Sequence, residues 1–431
     1  MDFHIRGRAI GATVSMVALC AAGQAQAAGF YIKEMSVTGV GRAFAGAPAA
    51  ADDASTVWFN PAGMNNLDAD EVMAAIHIIS PKAELTDTGS QRHNGVTWVK
   101  LNDTKTYQPY EPTPVPNLFG VLRDVDRGLS LGLGITAPFG LANDYPEFWF
   151  GRYDSIKTDL KTTNYSLVAA YDVSRDVTIG GGIDYQTVDV TLTSMKNNAG
   201  TDLHSNLEGD DGTFGFNIGV LAKLSPETQV GLHYRSGFVH NVEGTATVRA
   251  TSSTGPIQSQ YAATADLGLP ALASLGVKHR LNDQVTLLGD VSYYKWSAFD
   301  AIKVVRVSDG ALREDITQNY QDTVSLSLGM DYMVDDALTL RAGVQYDPTP
   351  THSGYRTSRT PDGDRTWVSG GLSYRFSDAV VMDAALTYIH IADSTINVGR
   401  SPLAGTATSA VVNADIEGSV VIGSVGLRYQ F

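Results

Sequence analysis

Residues Thr323–Tyr346 read TVSLSLGMDYMVDDALTLRAGVQY, two runs of alternating apolar and polar residues joined by the acidic turn Asp335-Asp336. A strand that faces lipid on one side and water on the other must alternate in this way. Each apolar face continues for about ten residues, which is the span of a tilted strand across a bilayer. The run therefore predicts a transmembrane β-hairpin with these side chains facing lipid: Val324, Leu326, Leu328, Met330 and Tyr332, then Leu338, Leu340, Ala342, Val344 and Tyr346.

The same pattern recurs along the chain, so the strands can be counted. Val368–Phe376 and Val380–Tyr388 form a second hairpin of this kind, with Arg375 and Asp383 on its inward face. Short polar turns alternate with long polar loops, the asymmetry of an outer-membrane barrel. Six short turns give twelve strands, and one more at each end predicts an all-β, 14-stranded antiparallel transmembrane β-barrel; the turns are Arg123 to Arg127, Ser174 to Asp176, Ser225 to Thr228, Leu281 to Gln284, Asp335-Asp336 and Ser377-Asp378.

A soluble β-sandwich or β-helix is the alternative fold, because its strands also alternate. Sandwich strands usually span about five or six residues, which is shorter than these apolar faces. The composition agrees with a barrel, since only 18% of the 431 residues are charged, Gly (43) and Tyr (19) are plentiful, and no apolar run is long enough for a spanning helix. The net charge of -15 argues against a nucleic-acid partner, which would need a basic patch.

The amino terminus has the features of a secretory signal peptide. Arg6 and Arg8 precede a short apolar stretch, and Ala25-Gln26-Ala27 is a small-residue cleavage site. Residues 1–27 are therefore predicted to be removed, so that the mature chain begins near Ala28. The removed segment contains Cys20, the one cysteine of the chain, which leaves the mature protein without a disulfide or a thiolate-bound metal. The sequence predicts neither a metal site nor a cofactor.

The carboxy-terminal strand ends on an aromatic residue. Val421, Val425, Leu427, Tyr429 and Phe431 share one face, and tyrosines near the short turns suit an aromatic girdle. A terminal aromatic on an alternating strand resembles the signal read by the barrel assembly machinery. We therefore expect a multi-pass protein of the outer membrane of a Gram-negative bacterium, in contact with outer-membrane lipids.

Residues 28–69 precede the first predicted strand and are rich in small residues. A barrel of fourteen strands is too wide to be filled by its own inward side chains, so an unfilled lumen would be a water channel. We predict that residues 28–69 form an N-terminal hatch inside a barrel built by residues 70–431. Asp52 and Asp53 would then need cationic partners, because an unpaired buried charge is costly.

Residues 28–64, AGFYIKEMSVTGVGRAFAGAPAAADDASTVWFNPAGM, resemble the amino-terminal hatch of the FadL/TodX outer-membrane transporters. Further stretches resemble landmarks of that family along the whole mature chain: PVPNLFG (114–120), TAPFGL (136–141), FGRYDSIKTDLKT (150–162), WSAFD (296–300), YDPTP (346–350) and PDGDRTWVSGGLSYRF (361–376). The resemblance implies passive uptake of long-chain fatty acids or other hydrophobic molecules through a plugged barrel.

The resemblance also implies a route for the ligand. A ligand lands between extracellular loops, enters a pocket, and leaves through a gap in the wall where one strand is kinked. A shift of the mature amino terminus, Ala28, Gly29 and Phe30, opens the path. Asn60, Pro61 and Ala62 correspond by motif to the hatch element that faces the gap.

Two parts of this route have candidates in the sequence. Phe148, Trp149 and Phe150 are adjacent in a predicted extracellular loop and form a candidate landing site, with packing of the loop onto its neighbours as the alternative. Gly132 and Gly134, in a predicted strand that ends at Pro138, are candidates for the kink, because glycine marks bends and proline removes a hydrogen-bond donor.

A carboxylate inside an apolar bore needs a cation or several hydrogen-bond donors. The candidate cations for such a head group are Arg42, Arg152, Arg341 and Arg375. The alternative for each of them is a salt bridge to one of the acidic residues within the lumen.

Competing functions make distinct demands. An aromatic-hydrocarbon channel of the same fold would need no cation for a carboxylate. A general porin would need an open lumen, and an energised siderophore receptor would need about 22 strands and a far larger plug. An outer-membrane hydrolase is the alternative of a different class, but the chain has no H-E-x-x-H motif and no G-x-S-x-G element. The sequence therefore predicts a transporter and not an enzyme.

Overall fold

The computed structural model of the protein describes residues 29–252 and 255–431. The predicted signal peptide, residues 1–27, and Ala28 lie outside the described residues. No helix in the described ranges is long and apolar enough to cross a membrane.

Fourteen wall strands form one antiparallel sheet in the described part of the chain, and pairing of the first with the last closes it, from Glu71 opposite Gln430 to Asp87 opposite Ala414. The fourteen-stranded barrel is thereby confirmed. Wall strands 1 to 14 are Glu71–Asp87, Thr113–Asp126, Leu129–Thr136 with Gly140–Asp144, Lys157–Asp172, Val177–Asn198, Thr201–Lys223, Thr228–Arg235 with Phe238–Ser252, Gly255–Leu269 with Leu272–Arg280, Val285–Tyr294 with Ala301–Arg306, Leu312–Thr317 with Thr323–Met333, Leu338–Asp347, Arg365–Ser377, Val380–Arg400 and Ala410–Gln430. Three short strands, Gln91–His93, Trp98–Lys100 and Thr106–Tyr107, lie in the first long loop.

The two-residue period is present in the wall as predicted. In wall strand 10, Leu326 and Leu328 are exposed on the outer face, whereas Ser325 and Ser327 are buried inside. Outward apolar side chains recur on the strands around the barrel. This band is the surface that a bilayer requires.

The short turns lie at one end of the barrel, with one shift from prediction. Wall strand 2 continues to Asp126, so its turn is Arg127-Gly128 and not Arg123 to Arg127. At the other end, wall strands 5 and 6 pair along almost their whole length and leave only residues 199–200 between them. Some of the predicted loop sequence is therefore strand that extends beyond the membrane.

Residues 29–67, here called the N-terminal segment, lie inside the barrel as short helical turns: Val37–Gly41, Ala47–Ala50, Thr56–Phe59 and the 3-10 helix Pro61–Asn66. The first helix contacts wall strands 11 to 14, the second contacts strands 7 to 9, and the 3-10 helix contacts strands 2 to 6. Polar side chains start two of these turns, since Ser36 Oγ accepts from the Gly39 N–H (3.1 Å) and Asn60 Oδ1 accepts from the Ala62 N–H (3.2 Å). The segment thus reaches most of the wall.

Candidate transport site

Wall strand 3 is interrupted at residues 137–139, and the N-terminal segment pairs with the interruption. The Ile32 N–H donates to the Pro138 carbonyl (2.8 Å), and the Gly140 N–H donates to the Phe30 carbonyl (3.0 Å). Tyr31 and Phe139 are opposite one another in this single antiparallel bridge. Proline cannot donate to a sheet, so Pro138 is a natural point for the wall to break.

The interruption leaves part of wall strand 2 without a partner on that side. Pairing between wall strands 2 and 3 ends at Leu118 opposite Ile135, whereas residues 113–117 continue to pair with wall strand 1. Residues 113–117 and the facing residues 137–139 are called the unpaired stretch below. The Asn117 side chain in this stretch donates to the Glu34 carbonyl (2.6 Å), so the N-terminal segment lies directly behind it.

Gly132 and Gly134 lie in the regular part of wall strand 3, so the predicted kink is displaced to residues 137–139. A Cβ at Gly132 would lie only 2.5 Å from Met64 Sδ and 2.7 Å from Val57 Cγ2. Glycine at this position therefore allows the N-terminal segment to pack closely against the wall, and the strand does not bend there.

Asn60, Pro61 and Ala62 do not face the unpaired stretch. The Asn60 side chain donates to the Pro48 carbonyl (2.7 Å) and to the Val220 carbonyl (3.0 Å) of wall strand 6. A Cβ at Gly180 of wall strand 5 would lie 2.4 Å from the Ala62 nitrogen. The motif thus fastens the segment to wall strands 5 and 6, and the positions next to the interruption belong to Phe30–Ile32 and Glu34. Pro138 is a sequence signal for the interruption, but no local sequence pattern predicts that Tyr31 pairs with Phe139 beside it.

An apolar cavity lies between Phe30 and wall strands 3 to 9. Phe30 packs edge-on against Phe139 (centroids 6.0 Å apart), Trp296 (5.1 Å) and Phe299 (5.1 Å). Phe30 therefore separates the cavity from the interruption of wall strand 3. The cavity is lined by apolar side chains that include Leu141, Leu160, Leu192, Val242, Leu267 and Ile302.

The predicted landing loop is largely folded inward. Trp149 and Phe150 are buried; Trp149 stacks on Tyr145 (centroids 3.8 Å apart) and donates its indole N–H to the Ser155 carbonyl (2.7 Å). Phe148 keeps 72% of its surface exposed. Trp149 and Phe150 therefore pack the loop onto its neighbours, and of the three predicted landing residues only Phe148 is exposed.

Arg42 and Arg341 belong to one polar network between the N-terminal segment and the wall. Arg42 is 2.6 Å from Asp52 and 2.8 Å from Asp331, and Arg341 Nε is 3.6 Å from Asp331. Lys278 of wall strand 8 adds a second cation 2.5 Å from Asp52. These pairs supply the cationic partner that burial of Asp52 was predicted to require.

The other two candidate cations lie at opposite ends of the barrel. Arg152, in the loop between wall strands 3 and 4, pairs with Asp202 (3.1 Å) at the start of wall strand 6. Arg375 is exposed near the short turns, with one long contact to Gln430 (3.4 Å). None of the four predicted arginines is among the residues that line the apolar cavity.

Glu34 is fully buried behind the unpaired stretch, and no side chain among the described residues donates a hydrogen bond to its carboxylate. Removal from water raises the pKa of the Glu34 carboxyl from its usual value of 4.5 to about 7. Between pH 4.5 and about 7 a carboxyl in this position is mostly neutral when docked and mostly ionised when released into water.

This raised pKa makes docking of the N-terminal segment pH-dependent. Below pH 4.5 Glu34 is protonated in both states; between pH 4.5 and about 7 only the released state loses its proton, so docking weakens as the pH rises. We expect the hydrogen-exchange protection of residues 30–35, corrected for intrinsic rates, to fall by roughly tenfold or more from pH 5 to pH 8. Glu34→Gln should remove this dependence; an unchanged pH profile in that variant would contradict the role given to Glu34.

The described residues contain no cluster of three or more His, Cys, Asp or Glu side chains that could hold a metal ion. The family model described as outer membrane protein transport protein (OMPP1/FadL/TodX) matches residues 18–431. The chain belongs to this family. The FadL/TodX resemblance drawn from the sequence is thereby confirmed.

Individual relatives agree with the family. The long-chain fatty acid transport protein of Escherichia coli O6:H1 is 28% identical over 402 residues, which cover 85% of this chain and 88% of that protein. The crystal structure of a Pseudomonas aeruginosa FadL homologue superposes with a TM-score of 0.85 at 21% identity, covering 94% of this chain and 100% of that one. The Pseudomonas putida toluene transporter TodX gives 0.69 at 18% identity, covering 94% and 100%. At these identities the two structures show a shared fold.

Membership of the FadL/TodX family places the chain in the outer membrane of a Gram-negative bacterium as a multi-pass transport protein. The family consists of transport channels, so the prediction that the chain is not an enzyme is confirmed, and the hydrolase alternative has no support.

Proposed function

We propose that this protein carries long-chain fatty acids inward without energy input, through the apolar cavity and out sideways between wall strands 2 and 3. In this proposal residues 1–27 are the signal peptide, residues 28–69 the hatch and residues 70–431 the barrel. One observation carries it: Phe30 lines the apolar cavity, while its carbonyl is bonded to Gly140, next to the interruption of the wall.

Phe30–Ile32 is attached by hydrogen bonds and aromatic packing, whereas the neighbouring Lys33 forms an ion pair with Asp347 (3.2 Å). Two main-chain hydrogen bonds hold this stretch to wall strand 3, each contributing about 1 kcal/mol. Residues 42 and 52, in contrast, are held by buried ion pairs. A ligand that displaces Phe30 would therefore connect the cavity to the unpaired stretch while the rest of the segment stays in place. Gly29 and Phe30 are the moving part, and Asn60, Pro61 and Ala62 belong to the fixed part.

The family contains transporters for two kinds of substrate. The Escherichia coli relative is named a long-chain fatty acid transport protein, and the Pseudomonas putida protein is described as a toluene transporter. We infer a fatty acid here because the cavity is apolar and is bordered by a cationic side chain, Arg359. Aromatic hydrocarbons are the second candidate, favoured by the aromatic rings of Phe30 and Phe299 in the lining.

Three further contacts complete the proposal. The exposed Phe148 is the part of the Phe148–Phe150 run that can meet an incoming ligand. Outer-membrane lipids cover the outward apolar band, and the barrel assembly machinery reads wall strand 14 together with the exposed Phe431 that follows it.

Uptake by a strain that lacks its own transporters of this family tests the function. Complementation with this chain should support uptake of radiolabelled oleate, and the Phe30→Ala variant should change the rate while the barrel still shows heat-modifiable migration on gels. Uptake of toluene without oleate would select the second candidate. Uptake of neither compound by a correctly folded barrel would refute the proposal.

A further inference from the structure

Arg359 lies in the long connection between wall strands 11 and 12 and borders the apolar cavity. Its side chain is buried, with 4% of its surface exposed. Arg359 reaches the cavity because the connection between wall strands 11 and 12 folds into the barrel.

Four of the five N–H groups of Arg359 are used, all of them by neutral acceptors. Nη1 donates to the Lys157 carbonyl (3.1 Å) and to Thr158 Oγ1 (3.0 Å). Nη2 donates to the carbonyls of Asp154 (3.0 Å) and Thr193 (3.2 Å). The remaining Nε–H has no partner within the described ranges. These bonds hold the guanidinium in place without balancing its charge.

The two carboxylates that interact electrostatically with Arg359, Asp154 and Glu314, are already paired with other cations. Asp154 Oδ1 accepts two bonds from Arg400 (2.8 and 2.6 Å), and Asp154 Oδ2 accepts from the main chain and hydroxyl of Ser358 (2.5 and 2.6 Å). Glu314 pairs with Lys196 at 2.7 Å. Arg359 makes no ion pair of its own with any described residue. The carboxylates at the cavity rim, Glu208 and Asp266, are exposed to water.

A buried charge without a counter-ion is costly, so a site that maintains one is prepared for an anion. We propose that Arg359 binds the carboxylate of an amphiphilic ligand whose apolar chain fills the cavity. This inference rests on the proposed function and adds the residue that selects acids over hydrocarbons. A guanidinium bonds a carboxylate through charge-assisted hydrogen bonds, whereas a hydrocarbon would leave Arg359 without a counter-ion.

Arg356 provides a matched control within the same connection. It too is buried, and it too bonds only neutral acceptors: Thr351 Oγ1 (2.8 Å), the Thr395 carbonyl (3.0 Å) and the Thr351 carbonyl (3.3 Å). It does not line the cavity. Replacing Arg356 therefore reproduces the loss of a buried arginine from this connection without changing the proposed site.

The test measures binding of oleate and of oleyl alcohol, which share an acyl chain and differ in charge. The purified full chain is placed in nanodiscs, and isothermal titration is corrected with empty nanodiscs. Arg359→Met should weaken oleate binding about tenfold or more while changing oleyl alcohol binding less than about twofold. Arg359→Lys should retain part of the oleate affinity, and Arg356→Met should retain all of it. Heat-modifiable migration verifies that each variant is folded.

The outcomes separate this inference from the proposed function. Wild-type protein that binds neither ligand would refute both. Wild-type protein that binds both ligands, together with an Arg359→Met variant that keeps its oleate affinity or loses both ligands equally, would refute only the role of Arg359. Equal loss of oleate by the Arg356 and Arg359 variants would also refute it, because the effect would then come from folding of the connection.

Discussion

Oxidation of the double variant Tyr31→Cys/Phe139→Cys is expected to reduce oleate uptake to background, and a reductant is expected to restore it. The two residues face each other in the bridge between the N-terminal segment and wall strand 3, and the flanking hydrogen bonds make them a non-hydrogen-bonded pair. Such pairs place their Cα atoms about 4.5 Å apart, within the disulfide range of about 4.4 to 6.8 Å. The cross-link would fix Phe30 between the cavity and the unpaired stretch.

Each single cysteine variant is the control for this experiment, since neither can form the intramolecular bond. The one native cysteine, Cys20, lies in the predicted signal peptide and should not interfere. Wild-type uptake by protein that is fully cross-linked would show that substrate does not need the amino terminus to move. That result would redirect the route away from the opening between wall strands 2 and 3.

Replacement of Arg42 by Met is expected to release the N-terminal segment from the wall and turn the barrel into a leaky channel. Arg42 is buried between Asp52 and Asp331, and removing one partner of a buried ion pair costs about 3 to 5 kcal/mol. Lys278 and Arg341 remain near these carboxylates, so we expect about 3 kcal/mol, the lower end of that range. In planar bilayers the variant should show conductance roughly tenfold or more above wild type.

Arg306→Met is the control for the Arg42 variant. Arg306 also pairs with an aspartate, Asp309, but this pair is on the surface of the extracellular strands, where an ion pair contributes little. The control should conduct like wild type. Wild-type conductance in the Arg42 variant as well would mean that the buried network does not hold the segment in the lumen.

These two experiments probe different parts of the same segment. Phe30–Ile32 is held by two main-chain hydrogen bonds and by aromatic contacts, whereas the region around Arg42 and Asp52 is held by buried charges. In the proposed route, this difference in attachment would let an opening form at the wall without an open pore through the barrel. Displacement of Phe30–Ile32 alone would admit a hydrophobic ligand, while the charged network around Arg42 and Asp52 continues to exclude water-soluble solutes.

Alternation of side chains was sufficient to predict the wall. In a strand between lipid and water, apolar side chains face lipid and polar side chains face the lumen in turn, so the pattern can be read from neighbouring residues alone. The lipid-facing side of Thr323–Met333 could be assigned residue by residue, and the even strand count followed from the short turns. The N-terminal segment was also visible in the sequence, since it is rich in small residues and precedes the first strand.

The site required the tertiary structure, because its contacts join residues that are far apart in the chain. Adjacent aromatics could not reveal that Trp149 and Phe150 turn inward, and Gly132 looked like a bend although it accommodates Met64. The pairing of Tyr31 with Phe139 depends on the fold of the whole segment. Arg359 has no counter-ion because the nearby carboxylates of Asp154 and Glu314 pair with Arg400 and Lys196. The two-residue period of the sequence determined the wall, whereas long-range packing and charge pairing decided the apolar cavity and the interruption of wall strand 3, where we propose that a ligand binds and leaves.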